Sequence, residues 1–167
     1  MKKWIAPICS AVVGILSFVM LCLDWSFLKV TYGETTFVDK KWSGWDLIRN
    51  TDNFNELEGY TLFKVAAIIM LIVAVVAIIA AIVLLLNNLN VIKLNLNLNL
   101  INNIVLSVLV LAVILAFVGL LIMRADILKD IEEPIKASCF AHVGAWLQLA
   151  ISVVACSLGW ALGRKAK

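Results

Sequence analysis

The chain has 167 residues, of which 63% are apolar or aromatic and 15% are charged, and its formal net charge is +3. A soluble domain is about half apolar and about a quarter charged. The composition therefore leaves too few polar residues to cover a water-soluble globule. It indicates a polytopic membrane protein and leaves little room for a soluble catalytic domain.

Four long apolar runs predict four helices that cross a membrane. Each run has about 20 to 26 residues, enough to cross a hydrocarbon core of about 30 Å. The first run follows Lys2 and Lys3, but it is too long for a signal peptide and lacks a small-residue cleavage site. We therefore expect it to be retained. The predicted spans are residues 4–23, 62–86, 104–123 and 137–162.

The predicted fold class is an all-α membrane protein with one transmembrane domain over residues 1–167. The four helices are expected to form an up-down-up-down bundle. The first outer segment, residues 24–60, is expected to carry a small extracytoplasmic β-hairpin.

Charge is sorted between the two sides of this predicted bundle. The two termini and the connection between spans two and three carry six basic residues and no acid, whereas all 11 acidic residues lie in the other two connections. Basic residues that flank the first and last spans favour the cytoplasmic side. The sequence thus predicts a multi-pass protein of the cell (plasma) membrane with both termini in the cytoplasm. Membrane lipids are expected partners, and no basic cluster is long enough to indicate nucleic-acid binding.

The outer segment has local order of its own. Residues 26–32 and 35–41 are rich in β-branched and aromatic side chains, and Gly33-Glu34 between them fits a two-residue turn. A hairpin alone is marginal in water, so it should pack on the helix ends or on further strands. Ser43 is a plausible N-cap for a short helix that ends near Asn50.

The tryptophans suggest two roles. Trp25 is expected to anchor at the lipid–water interface, as are Trp4 and Trp160. Trp42 and Trp45 lie well beyond the first span, so they either pin the hairpin onto the bundle or belong to a partner-binding surface. The residues proposed for that surface are Trp42, Gly44, Trp45 and Phe37.

Trp25, Gly44 and Trp45, together with the four spans and a β-rich outer loop, carry a resemblance to the claudin and peripheral-myelin-protein superfamily. The resemblance implies four membrane helices and a β-rich outer loop. No leucine separates Gly44 from Trp45, and residues 24–60 contain no cysteine. A bacterial four-helix protein with a short outer hairpin is the closer picture, and barrier or pore function is not carried over.

The fourth span carries small and polar residues at three- and four-residue steps. Such a face lets helix backbones approach closely and hydrogen-bond to one another. The residues expected to pack against other helices are Gly144, Gln148, Ser152 and Gly159. The cysteines lack metal-ligand spacing, and matched depth in neighbouring spans suggests a disulfide between Cys22 and Cys139.

Residues 87–103 contain eight asparagines, with strict Leu/Asn alternation over residues 94–100. Period-two alternation favours an extended strand. A low-complexity linker between helices and an extension of the helix of span two are the alternatives.

No catalytic motif appears: there is no nucleophile–base arrangement outside the spans and no phosphate-binding loop. We therefore expect no enzyme activity, no metal and no cofactor. The expected function is that of a non-enzymatic subunit or adaptor that binds another membrane protein, or itself, through the outer segment and the helix faces. The alternative is an oligomeric pore or an accessory subunit of a transporter.

Overall fold

A computed structural model describes residues 2–94, 97–129, 131 and 135–163. The elements, in chain order, are α1 (Lys2–Leu21), β1 (Asp24–Tyr32), β2 (Thr35–Ser43), α2 (Gly44–Arg49), a 3₁₀ turn (Phe54–Glu56), α3 (Tyr60–Asn88), α4 (Leu98–Lys129), β3 (Ile135–Ala141) and α5 (Val143–Gly163).

Four of these helices are long and apolar enough to cross a membrane, judged by length and composition. The stretches are Trp4–Leu21, Tyr60–Asn88, Leu98–Lys129 and Val143–Ala161. α3 has 29 residues and α4 has 32, so both helices are longer than the apolar runs that predicted them. At 1.5 Å per residue they are about 44 and 48 Å long, which exceeds the thickness of a hydrocarbon core.

The predicted hairpin is confirmed and belongs to a larger sheet. β1 pairs antiparallel with β2, and Gly33 in the turn has a φ of +57°. β1 also pairs antiparallel with β3, so the strand order is β2-β1-β3. A hairpin gains stability when a further strand joins it, and here the third strand comes from the connection between α4 and α5.

The predicted start of the fourth span at residue 137 is wrong. Residues 135–141 form β3, and α5 begins at Val143. Pairing with β1 satisfies the backbone of this apolar segment, with Leu28 opposite Cys139 and Val30 opposite Ala137. The backbone N–H of His142 adds a bond to the Trp25 carbonyl at 2.8 Å. Pairing with β1, a distant part of the chain, therefore makes residues 135–141 a strand, although the apolar run predicted a helix from residue 137.

The strand favoured for the Leu/Asn alternation is also wrong where the structure describes it. α4 begins at Leu98, within the alternating stretch, while residues 95 and 96 lie outside the described residues. Asn102 and Asn103 are buried in the bundle, and the Ser10 hydroxyl donates to the Asn102 side-chain carbonyl. Tertiary contacts of the helix thus outweigh the period-two pattern.

The core runs along the contacts of α1 with α3, α3 with α4, α4 with α5, and α5 with α1. Small residues make these contacts close. A Cβ on Gly119 of α4 would lie 2.6 Å from the backbone nitrogen of Phe63 in α3. The buried alanines of α3 are Ala66, Ala67, Ala74, Ala77 and Ala81.

Candidate functional site

The end of the bundle that carries the three-stranded sheet and α2, hereafter the sheet end, is built around Trp25. Trp25 is 1% exposed, and its indole N–H donates to the Met20 carbonyl at 2.9 Å. Its ring lies edge-on to Phe63, with centroids 6.0 Å apart. The expected interfacial anchor is therefore a core residue, whose polar N–H is satisfied by the carbonyl end of α1 instead of interfacial water.

Two glycines allow Trp25 to lie this close to the backbone. A Cβ on Gly44 would lie 3.1 Å from the indole nitrogen, and a Cβ on Gly144 would lie 2.6 Å from its Cδ1. The Cβ on Gly144 would also lie 2.9 Å from the carbonyl oxygen of Asp24. The start of β1 is thus held between α2 and α5.

A second aromatic cluster packs the end of β2 against the segment that leads into α3. Trp42, 8% exposed, packs edge-on to Phe54 with centroids 5.3 Å apart, and Phe54 contacts Tyr60 at 5.8 Å. The Tyr60 hydroxyl donates to the Leu47 carbonyl at 2.9 Å. β2, α2 and the start of α3 therefore share one packed interior.

Asp52 joins these elements electrostatically. Its carboxylate accepts the Trp42 indole N–H at 2.6 Å and the Lys40 ammonium at 3.1 Å. The hydrogen bond from Trp42 and then the bond and charge of Lys40 hold the pKa of Asp52 below its ordinary value. The carboxylate is thus kept ionised where β2 meets the loop after α2.

The short helix α2 is capped as expected. The Ser43 hydroxyl accepts the backbone N–H of Asp46 at 3.2 Å, and the backbone N–H of Ser43 donates to the Asp46 carboxylate at 3.0 Å. This reciprocal pair satisfies two N–H groups that a helix start leaves free. Asn50, with φ of 60°, ends the helix.

The sheet tip is apolar and exposed. Phe37 is 66% exposed, Tyr32 53% and Ile135 44%, and with Val30 they line a groove of about 310 Å³. The rings of Tyr32 and Phe37 lie edge-on, with centroids 6.5 Å apart. We call these four residues the tip patch.

The four residues proposed for partner binding occupy different environments. Phe37 is exposed and Trp45 is half-buried, whereas Trp42 and Gly44 are buried within the chain. The structure adds Tyr32 and Ile135 to Phe37. The strand pairing of Tyr32 with Ile135 brings them together, and no pattern in the sequence predicted that pairing because β3 was not predicted.

Of the four residues proposed for helix packing, Gly144, Gln148 and Gly159 contact other elements, and Ser152 is buried. The Gln148 amide donates to Ser17 at 2.9 Å and to Ser152 at 3.2 Å, and both Gln148 and Ser152 are buried. A Cβ on Gly159 would lie 2.8 Å from the Asn103 side-chain oxygen. Gly144 contacts β1, as described above.

Reactive groups are scattered. Within the part of the chain that the structure describes, no three His, Cys, Asp or Glu side chains are close enough to hold a metal ion. All four cysteines are free, which contradicts the suggested disulfide, because Cys22 follows α1 and is exposed whereas Cys139 is buried in β3. Burial raises the pKa of the Cys139 thiol.

The fold and the site define a mostly helical protein with four helices long enough to span a membrane and a three-stranded sheet held at one end. No protein-family model matches the chain, and no curated protein matches it with significance.

Proposed function

We propose that the chain is a multi-pass protein of the plasma membrane, with an up-down-up-down bundle, both termini in the cytoplasm and the sheet end outside. Four apolar helices of sufficient length support the membrane location. The contacts of Trp25 with Phe63 and Gly144 put the end of α1 beside the starts of α3 and α5. That arrangement fits helices that cross alternately, and the basic termini favour the cytoplasmic side.

We further propose that the chain is a non-enzymatic subunit or adaptor that binds another membrane protein through the sheet tip. The supporting observation is the tip patch, in which Phe37 and Tyr32 are more than half exposed. The base of the same sheet is fixed by Trp25 and Trp42. Exposed aromatic side chains on a rigid base suit binding, because little conformational entropy is lost when a partner covers them.

An oligomeric pore has less support. Ser17 of α1 and Gln148 and Ser152 of α5 are buried, and the Gln148 amide bonds to both serines. A pore between copies of the chain needs such groups on the outer helix faces. We therefore favour the adaptor.

Phe37→Ser tests the adaptor proposal, with Val91→Ser as a matched control. Both side chains are 66% exposed, and Val91 follows α3 at the end opposite the sheet. Proteins that co-purify with wild type in mild detergent should fall about tenfold or more with Phe37→Ser, as expected for an interface anchor. They should be unchanged with Val91→Ser.

Two outcomes would count against the adaptor. One is a wild-type protein that purifies with no other membrane protein and no second copy. The other is equal recovery of the partner with Phe37→Ser and with Val91→Ser.

A further inference from the structure

A groove outside the tip patch lies where α4 passes the start of α3. It has a volume of about 350 Å³. Its floor is formed by Val118, Leu121 and Ile122 of α4, which are apolar and exposed, and its mouth by Glu58, Asp126 and Lys129. The groove is thus apolar along one part and charged along the other.

Gly59 lets the backbone before α3 approach α4 closely at this groove. Gly59 has a φ of +83°, which a residue with a side chain rarely adopts, and a Cβ there would lie 2.6 Å from the Cβ of Ile122. The close approach lets the backbone N–H of Glu58 donate to the Asp126 carboxylate at 3.0 Å. The carboxylate of Asp126 is therefore held at the mouth by a bond to the backbone before α3.

The three charged side chains at the mouth form no ion pair with one another or with any other described residue. Among the described residues, no carboxylate lies within ion-pair distance of Lys129, and no basic group lies that close to Glu58 or Asp126. Lys129 is exposed and lies three residues after Asp126, so both side chains are on one face of α4. Both signs of charge thus border one apolar groove.

The position of the lining residues along α4 indicates the depth of the groove in a bilayer. The groove spans residues 118–129, about 16 Å along the helix. In α4, Arg124 is the first charged residue after the apolar run. In the proposed membrane arrangement the floor therefore lies at acyl-chain depth and the mouth at headgroup depth.

We infer that this groove binds an amine-bearing zwitterionic phospholipid, of the phosphatidylethanolamine class, an inference that rests on the proposed membrane location. An acyl chain covers Val118, Leu121 and Ile122. The primary ammonium donates to the carboxylates of Glu58 and Asp126, and Lys129 binds the phosphate.

The lining also discriminates among lipids. Recognition of a quaternary ammonium relies on aromatic faces, and the groove contains no aromatic side chain among its described lining residues. A primary ammonium has N–H groups that match carboxylate acceptors, whereas choline has none. A purely anionic headgroup would leave both carboxylates unpaired.

The test uses the full-length protein with mixed micelles that contain equal amounts of phosphatidylethanolamine, phosphatidylcholine and phosphatidylglycerol with the same acyl chains. Native mass spectrometry counts the bound lipids. Wild type should retain phosphatidylethanolamine about fivefold over either competitor, as expected for two exposed ion pairs. Equal retention of the three lipids would overturn the inference.

Variants assign the preference to the groove. Asp126→Asn keeps an acceptor for the Glu58 N–H, so the fold should persist, and together with Glu58→Gln it should reduce the preference to about one. Lys129→Gln, at an exposed side chain, should lower the retention of all three lipids, because each of them carries the phosphate. Glu34→Gln, in the hairpin turn, is the matched control and should leave both the preference and the retention unchanged. A preference that persists in the double variant, or lipid retention that does not fall with Lys129→Gln, would refute a zwitterion site.

Membrane integration is measured separately by alkaline carbonate extraction of vesicles. A chain that stays in the vesicles without lipid preference refutes the lipid site alone. A chain released into the supernatant refutes both the membrane location and the lipid site.

Discussion

Replacing Gly144 with Ala should separate the sheet from the bundle more than any other glycine change in α5. The new Cβ would lie 2.6 Å from Cδ1 of Trp25 and 2.9 Å from the Asp24 carbonyl oxygen. Moving either atom costs free energy, because the oxygen belongs to the backbone and the buried ring is held by its hydrogen bond to Met20. Overpacking of this kind costs about 1 to 3 kcal/mol.

A matched control exists in the same helix. A Cβ on Gly159 would meet the Asn103 side-chain oxygen at 2.8 Å and Cδ1 of Leu106 at 3.1 Å, and both are ends of side chains. Ala also improves helix propensity over Gly by about 0.5 to 1 kcal/mol. We therefore expect Gly144→Ala to cost about 1 to 2 kcal/mol net and Gly159→Ala to be close to neutral.

Thermal unfolding in detergent, followed by tryptophan fluorescence, measures this difference. At about 2 to 4 °C per kcal/mol for a chain of this size, Gly144→Ala should lower the melting temperature by about 2 to 8 °C. Because Trp25 is the residue displaced, the emission of the folded state should also shift in Gly144→Ala. A Gly159→Ala variant that is less stable than Gly144→Ala would refute the packing argument.

Three further predictions follow from the described contacts. The pKa of Asp52 is lowered in the folded chain, so its stabilisation is complete above its ordinary value of about 4 and is lost as pH falls through the folded value. Asp52→Asn should therefore lose less melting temperature than wild type between about pH 5 and about pH 2.5, and parallel pH profiles would contradict this. Gln148→Met keeps volume and should cost less than about 1 kcal/mol, since interhelical hydrogen bonds in membranes average about 0.6 kcal/mol. Gln148→Ala leaves a cavity and should cost about 2 to 4 kcal/mol, and equal denaturation midpoints for the two variants would argue against this packing. Burial raises the pKa of the Cys139 thiol, so a water-soluble maleimide should modify exposed Cys22 first and Cys139 only on unfolding. Peptide mass spectrometry measures both rates, and comparable rates would disprove the burial of Cys139 in β3.

Features that depend on neighbouring residues were predictable from the sequence. The hairpin follows from Gly33-Glu34 between two β-rich runs, and the start of α2 follows from Ser43 as N-cap. The four long helices follow from apolar length. In each case a few residues determine the local free energy, so a pattern is sufficient evidence.

Features that depend on distant partners were not predictable. β3 reads as part of a helix because residues 137–162 are almost continuously apolar, and only pairing with β1 makes residues 135–141 a strand. Likewise, burial of Asn102 and Asn103 in the bundle decides the start of α4 against the alternating pattern. A single sequence does not reveal either partner.

The candidate site shows the same division. Phe37 was proposed from its place in the outer segment and is exposed, whereas Trp42 lies in the interior against Phe54, as the alternative of a residue that pins the hairpin requires. The contribution of Ile135 to the tip patch required the third strand.

Because β1 lies at the centre of the sheet, its two edges gain their partner strands at different times during synthesis. β1 ends at Tyr32 and its second partner, β3, ends at Ala141. At a synthesis rate of about 5 to 20 residues per second, β3 is completed about 5 to 20 s after β1. During this interval α3 and α4 are made while one edge of β1 has no partner in the chain. The nascent protein therefore presents an open strand edge to any chaperone or partner strand until the start of the last helix emerges.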